Sequence, residues 1–158
     1  MKLYLVQHAE AKQEDPDRPL SDKGQADIRK VAAYVAANTS PQVSRIIHSG
    51  KTRARQTAEI LAEVLSPFEG IGTSPDLAPL AAPSIWAGQL TDTESDMMLV
   101  GHLPHMSKLA ALLITQNQAQ TVVNFQMGGV VCLARDEAGA WAVQWMVTPD
   151  IVNHEFHE

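Results

Sequence analysis

Leu3-Tyr4-Leu5-Val6 restricts the fold more than any other stretch of this sequence. The run is apolar, rich in β-formers and too short for a stable helix, so it reads as a fully buried strand. It stops abruptly at Gln7-His8-Ala9-Glu10. A histidine at the carboxyl end of a buried strand stands where open α/β sheets bind ligands. Two more runs repeat the pattern. Val43 to His48 contains Ile46-Ile47 and ends in His48-Ser49-Gly50, and Met97 to Val100 runs into Gly101-His102-Leu103-Pro104.

Helical patterns fill the intervals. Ser21 reads as an N-cap with Asp22 at the positive helix end, and Ile28, Val31, Ala32 and Val35 recur at i, i+3, i+4 and i+7 as far as Asn38. Ser49 is expected to cap a second helix over 51–65, with Ala54, Ala58, Leu61 and Leu65 inward. The Pro- and Gly-rich segment 66–83 leaves room for a short strand near 71–74, and 84–90 for a short helix. Pro104 suits the first turn of a helix continued by Met106, Leu109, Ala110, Leu113 and Ile114. Val130 to Arg135 and Ala140 to Val147 read as a hairpin around Asp136-Glu137-Ala138-Gly139, and 152–158 as a loose tail carrying His154 and His157.

Strand and helix alternating before a terminal hairpin predicts an α/β fold. The expected architecture is a three-layer sandwich, a mixed, mostly parallel sheet with helices on both faces. The 158 residues suit one domain, with no internal repeat or linker to divide them. No apolar run reaches membrane-span length, so no membrane partner is expected. A net charge of −6 argues against general nucleic-acid binding. The single cysteine, Cys132, cannot pair within the chain and sits among Val130, Val131 and Leu133, as a small core residue would. With Met1 leading into the first strand, a reducing cytoplasm is the expected compartment.

Three parallel strands would bring His8, His102 and Arg53 together at one sheet edge. Arg53 lies in the first turn of the second helix, and Arg18 on the loop Glu10 to Pro19 lies on the same side. Two imidazoles and two guanidiniums make a site for a phosphoryl group: guanidinium matches phosphate oxygens bidentately, and imidazole can attack phosphorus. His8 is expected to work as a neutral imidazole and His102 to assist as a cation, the form that adjacent phosphate favours. Arg55 reads as a solvated helix residue and His48 as structural. Glu10, Asp76 and Glu94 are alternative proton donors. His102 and His105 have the wrong spacing and company for zinc, and no carboxylate cluster suggests magnesium, so no metal is expected.

Four segments are quoted as motifs: Gln7-His8-Ala9; Arg18-Pro19-Leu20-Ser21 with Gly24; Ser49-Gly50-Lys51-Thr52-Arg53-Ala54-Arg55-Gln56-Thr57-Ala58; and Gly101-His102-Leu103-Pro104. In order and spacing they resemble those of the histidine phosphatase superfamily, phosphoglycerate-mutase-like in fold, in its small branch of SixA-like phosphohistidine phosphatases. The resemblance implies His8 as phosphate-accepting nucleophile, Arg18 and Arg53 as a phosphate clamp, His102 as a second phosphate contact, and no cofactor. It also implies inorganic phosphate as product and a phosphorylated signalling or phosphotransfer protein as partner, reached through a site without long lid insertions. Gln7 stands where the motif has arginine, Ala9 where it has glycine, and Gly50 where it has proline. An amide at Gln7 can contact phosphate without charge, at an expected loss of roughly 1–2 kcal/mol. Two alternatives follow: a phosphatase of small phosphomonoesters on the same fold, and a weakly catalytic phosphate-recognising module.

Overall fold

The computed structural model describes residues 1–153. Its elements are β1 (Lys2–Gln7), α1 (Asp22–Thr39), β2 (Arg45–His48), α2 (Thr52–Leu65), β3 (Ile71–Thr73), a 3₁₀ turn (Pro75–Leu77), α3 (Pro83–Thr91), β4 (Met97–Gly101), α4 (His105–Thr115), β5 (Val130–Arg135), β6 (Trp141–Val147) and α5 (Pro149–Val152). The six strands form one sheet in the order β3-β2-β4-β1-β5-β6. The first four of these are mutually parallel, and β5 runs antiparallel to both β1 and β6. The sheet is therefore mixed and mostly parallel, as the alternation of patterns requires.

The chain order explains which helices share a face. The steps β1→β2 and β2→β3 move one way along the sheet, and β3→β4 and β4→β5 move back. Right-handed crossovers between the parallel strands put α1 and α2 on one face and α3 on the other, where α4 packs beside it. The pleat sorts side chains to match. Tyr4, Val6, Ile46, Met98, Val100 and Cys132 pack with α1 and α2. Leu3, Leu5, Ile47, Leu99 and Val131 pack with Trp86 and Leu90 of α3 and Met106 and Leu109 of α4. Full burial of side chains of this size stabilises by about 1.5–3 kcal/mol each. Cys132 is fully buried, and burial pushes its thiol up to about 11.

Several boundaries differ from the sequence expectation. β1 includes Lys2 and Gln7, β3 stops at Thr73, β6 begins at Trp141, and Pro104 is the cap before α4 rather than part of its first turn. The segment between α4 and β5, which carries no periodic pattern, buries Val123 and Phe125 in the α3–α4 layer. It then returns to β1, where the Gly128 N–H donates to the carbonyls of Gln7 and His8. The tail residues His154 and His157 lie outside the described residues.

α1 begins as predicted: Ser21 Oγ accepts the Gly24 N–H at 3.0 Å, and its own O–H donates to Glu10 Oε2 at 3.0 Å. Gly24 must lack a side chain because a Cβ there would lie 2.1 Å from the Glu10 carbonyl oxygen. Backbone cannot yield as a flexible side chain can. Gly24→Ala should therefore destabilise the protein by about 2–3 kcal/mol, read as a lower urea midpoint with an unchanged m-value. A midpoint equal to that of the wild type would show that the helix and loop separate without cost.

Candidate active site

The parallel pairing aligns Gln7 with Gly101 and His48 with Val100. The carboxyl ends of β1, β2 and β4 thus meet at one edge, and the three histidine-bearing turns follow from it. The His8 N–H continues the ladder to the Gly101 carbonyl at 3.0 Å. The rings of His8 and His102 stand 5.1 Å apart, centroid to centroid, at an interplanar angle of 50°. Both side chains are buried.

His8 Nδ1 is 2.8 Å from the carbonyl oxygen of Ala9. A carbonyl only accepts, so Nδ1 carries the proton and Nε2 keeps its lone pair. Burial is the main cause that moves His8 below the ordinary imidazole value; the Ala9 bond opposes it, and Arg53 and Arg18 push further down. Burial also lowers Arg53, with Arg18 adding to the effect. The two guanidiniums therefore share one site with His8. Among the described residues neither forms an ion pair, and the Nε atoms of both are buried without a partner.

Helix α2 holds this arrangement. Arg53, Gln56 and Thr57 are spaced to share one face. Gln56 Oε1 accepts the Leu20 N–H at 2.7 Å, and Thr57 Oγ1 accepts the Ala9 N–H at 3.0 Å while donating to the Arg53 carbonyl at 2.8 Å. One helix thereby ties down the residue after His8 and the loop bearing Arg18. That loop is closed by an antiparallel bridge between Ala11 and Leu20 and by the Lys12 N–H to the Pro19 carbonyl. Arg18 itself takes a left-handed backbone, φ 48°, a strain of order 1 kcal/mol that clusters at functional sites. Gln56 and Thr57 were part of a quoted motif, but their backbone partners are invisible in sequence.

One expectation is corrected. Ser49 does not cap α2; Lys51 does, without a side-chain bond. The Ser49 hydroxyl instead lies 2.6 Å from His102 Nε2 and accepts the Lys51 N–H at 3.3 Å. The cause is the turn after β2: Gly50 has φ +92°, a value closed to the proline of the motif, and its N–H donates to His48 Nδ1. His102, expected to assist as a cation beside phosphate, is uncharged in the protein alone. Burial first, then His8, Arg53, Lys51 and His105, push it down to about 3.

Of the proposed proton donors, Glu94 precedes β4 at the far edge of the sheet, exposed and paired with Arg135. Glu10 is taken up by Ser21. Asp76 bears on His105, a fully buried ring whose two nitrogens have no partner among the described residues. Arg55 is solvated and paired with Glu59, and His48 is a buried acceptor, as expected. Gln7 is the last residue of β1, and its Oε1 is buried with no partner among the described residues.

His8, His48, His102 and His105 are all lowered from 6.5, in each case chiefly by burial. The unfolded chain takes up these protons near pH 6.5 and the folded protein resists them. Stability is therefore present above that pH and falls as the pH drops below it, by up to about 1.4 kcal/mol per histidine per pH unit. For His102 this window reaches down to about 3. Urea midpoints should drop steeply between pH 7 and 5, and less steeply in a His102→Gln variant. A flat profile would contradict the burial argument.

The sequence pattern described as "Histidine phosphatase superfamily (branch 1)" matches residues 3–97. An uncharacterized protein of Picosynechococcus sp. is 32% identical over 155 residues, covering 91% of this chain and 89% of the relative. The structure of the protein histidine phosphatase SixA complexed with tungstate superposes with a TM-score of 0.86 at 21% identity, over 97% of this chain and all of that one. The SixA structure from Agrobacterium tumefaciens superposes with a TM-score of 0.75 at 23% identity, over 94% and 97% of the two chains. The fold is that of the SixA structures. His102 lies beyond the matched segment, yet the β1–β4 pairing carries it to His8, and from the pattern over 3–97 this chain belongs to the histidine phosphatase superfamily.

Proposed function

We propose that this chain is a phosphatase for phosphohistidine on a protein, working through phospho-His8 from a single domain spanning 1–158. The observation that carries the reading is the Nδ1–H of His8 held by the Ala9 carbonyl, which leaves Nε2 as a free base beside Arg18 and Arg53. In the first step the Nε2 lone pair forms a bond to phosphorus as the P–N bond of the substrate breaks. The electron pair leaves with the substrate imidazole, which departs neutral when its other nitrogen carries a proton. Water then attacks phospho-His8, the P–N bond returns its pair to His8, and inorganic phosphate is released with loss of one water proton. Arg18 and Arg53 clamp the equatorial oxygens, and His102 contacts a third.

The charges around the two rings favour a phosphoramidate. The groups that bear on His8 and His102 are Arg18, Arg53, Lys51 and histidines. An alkoxide leaving group needs a proton donor; a protonated imidazole brings its own. A cytoplasmic phosphotransfer protein is the substrate this reading implies. No helix among the described residues is long and apolar enough to cross a membrane.

Phosphate release from a phosphohistidine protein, set against sugar phosphates and an aryl phosphate, tests the proposal. His8→Ala should reduce turnover to background with the fold intact, and acid-labile phosphate trapped on the wild type should map to His8. Label on another residue would sink the assignment. Preference for a small phosphomonoester would favour that substrate class, and tight anion binding without turnover would favour a recognition module. Gln7→Arg adds a charged planar donor to the site. It should raise kcat/KM by about ten- to hundredfold, roughly 1–3 kcal/mol, together with phosphate affinity. An unchanged or lower rate in the folded variant would show that Gln7 belongs to a different solution of the same chemistry.

A further inference from the structure

The sequence places Ser49 as a helix cap, but its hydroxyl meets His102 instead. Ser49 Oγ already accepts the Lys51 N–H at 3.3 Å and lies 2.6 Å from His102 Nε2. If His102 donated from Nε2, the half-exposed serine hydroxyl would turn its proton to solvent. The buried Nδ1 would then present a bare lone pair. If Ser49 donates to Nε2 instead, the hydroxyl is satisfied and the ring proton resides on Nδ1. That nitrogen is buried and has no partner among the described residues. A phosphoryl group offers only acceptors once ionised, so the free ring nitrogen must carry hydrogen to meet it.

We propose that Ser49 is a positioning residue that fixes His102 in the tautomer protonated at Nδ1, so that a neutral imidazole donates this N–H to a phosphoryl oxygen. The inference rests on the reading of the site as a phosphoryl site and goes beyond it by assigning how His102 acts without charge. The groups facing His102 are His8 at the end of β1, Arg53 on α2, Lys51 at the cap of α2 and His105 on α4. Cations and neutral rings surround it, which disfavours an imidazolium. A hydrogen-bond donor that carries no charge avoids that conflict. The two histidines then hold the same tautomer by different means: the Ala9 carbonyl accepts from Nδ1 of His8, and the Ser49 hydroxyl donates to Nε2 of His102. The common tautomer leaves His8 a base at Nε2 and His102 a donor at Nδ1.

The test is long-range ¹H–¹⁵N correlation of the histidine rings at pH 7, without and with inorganic phosphate. His102 in the wild type should show a protonated Nδ1 and an unprotonated Nε2, and phosphate should shift the Nδ1 proton. Ser49→Ala should give a mixed tautomer and a kcat about ten- to hundredfold lower, with a smaller change in KM; Ser49→Thr should restore both. A proton on Nε2 of wild-type His102, no response of Nδ1 to phosphate, or an unchanged tautomer and kcat in Ser49→Ala would each overturn the inference. The ring measurement needs no turnover and no mutant. An Nδ1–H tautomer that responds to phosphate in a protein inactive on phosphohistidine would overturn the functional reading alone. An Nε2–H tautomer in an active phosphatase would overturn only the role of Ser49.

Discussion

The site depends on the parallel pairing of β1 with β4 at the centre of the sheet. Val6 pairs with Val100 and Gln7 with Gly101, and the His8 N–H extends the ladder to the Gly101 carbonyl. Residues 94 positions apart in the chain are thereby set side by side, each one step beyond the end of its strand. Helical layers cover both faces of the two strands, so these backbone bonds are shielded from water and the register cannot slip without exposing the core. A one-residue slip would exchange the side chains that β1 sends to the two helical layers and carry His8 away from His102.

Burial then sets the chemistry. The same packing that holds the strand ends removes water from His8 and His102, and desolvation drives both rings towards the neutral form. A neutral imidazole is the form that can attack phosphorus. Two guanidiniums remain charged because arginine does not surrender its proton at accessible pH, and their buried Nε atoms have no partner among the described residues. Such a centre is costly in the protein alone and favourable once an anion enters. The apolar layers on either side supply the stability that lets the fold carry it, and the strained φ of Arg18 belongs to the same balance.

α2 ties the segments at this edge together. It contributes Arg53 directly, holds Ala9 through Thr57 and holds Leu20 through Gln56. The residues that position the loops and the residue that faces the site are successive members of one helical face. A displacement of α2 would therefore disturb His8, Arg18 and Arg53 together rather than one at a time. The Gly128 N–H supports the other side of the β1 end by donating to the Gln7 and His8 carbonyls.

Local physics made much of this legible in the residues alone. Short apolar runs such as Leu3 to Val6 mark strands buried on both faces, Ser21 marks a helix start, and the spacing of Ile28, Val31 and Val35 marks a helix face. Each depends on neighbours within a few residues, so the alternation of elements, the sheet type and the two helical layers followed, as did the polar strand ends where His8 and His102 stand. Tertiary structure decided what depends on partners distant in sequence. Ser49 has the right chemistry for a cap, but the positive φ of Gly50 redirects the turn and its hydroxyl meets a ring 53 positions away. His102 carries an ordinary imidazole in sequence; its charge is settled by burial, by Lys51 and Arg53 at the start of α2, and by the rings of His8 and His105. Gly24 looks like any helix glycine until the Glu10 carbonyl is found where its Cβ would be. Periodicity reports which way a side chain points; only the assembled sheet determines what it meets there.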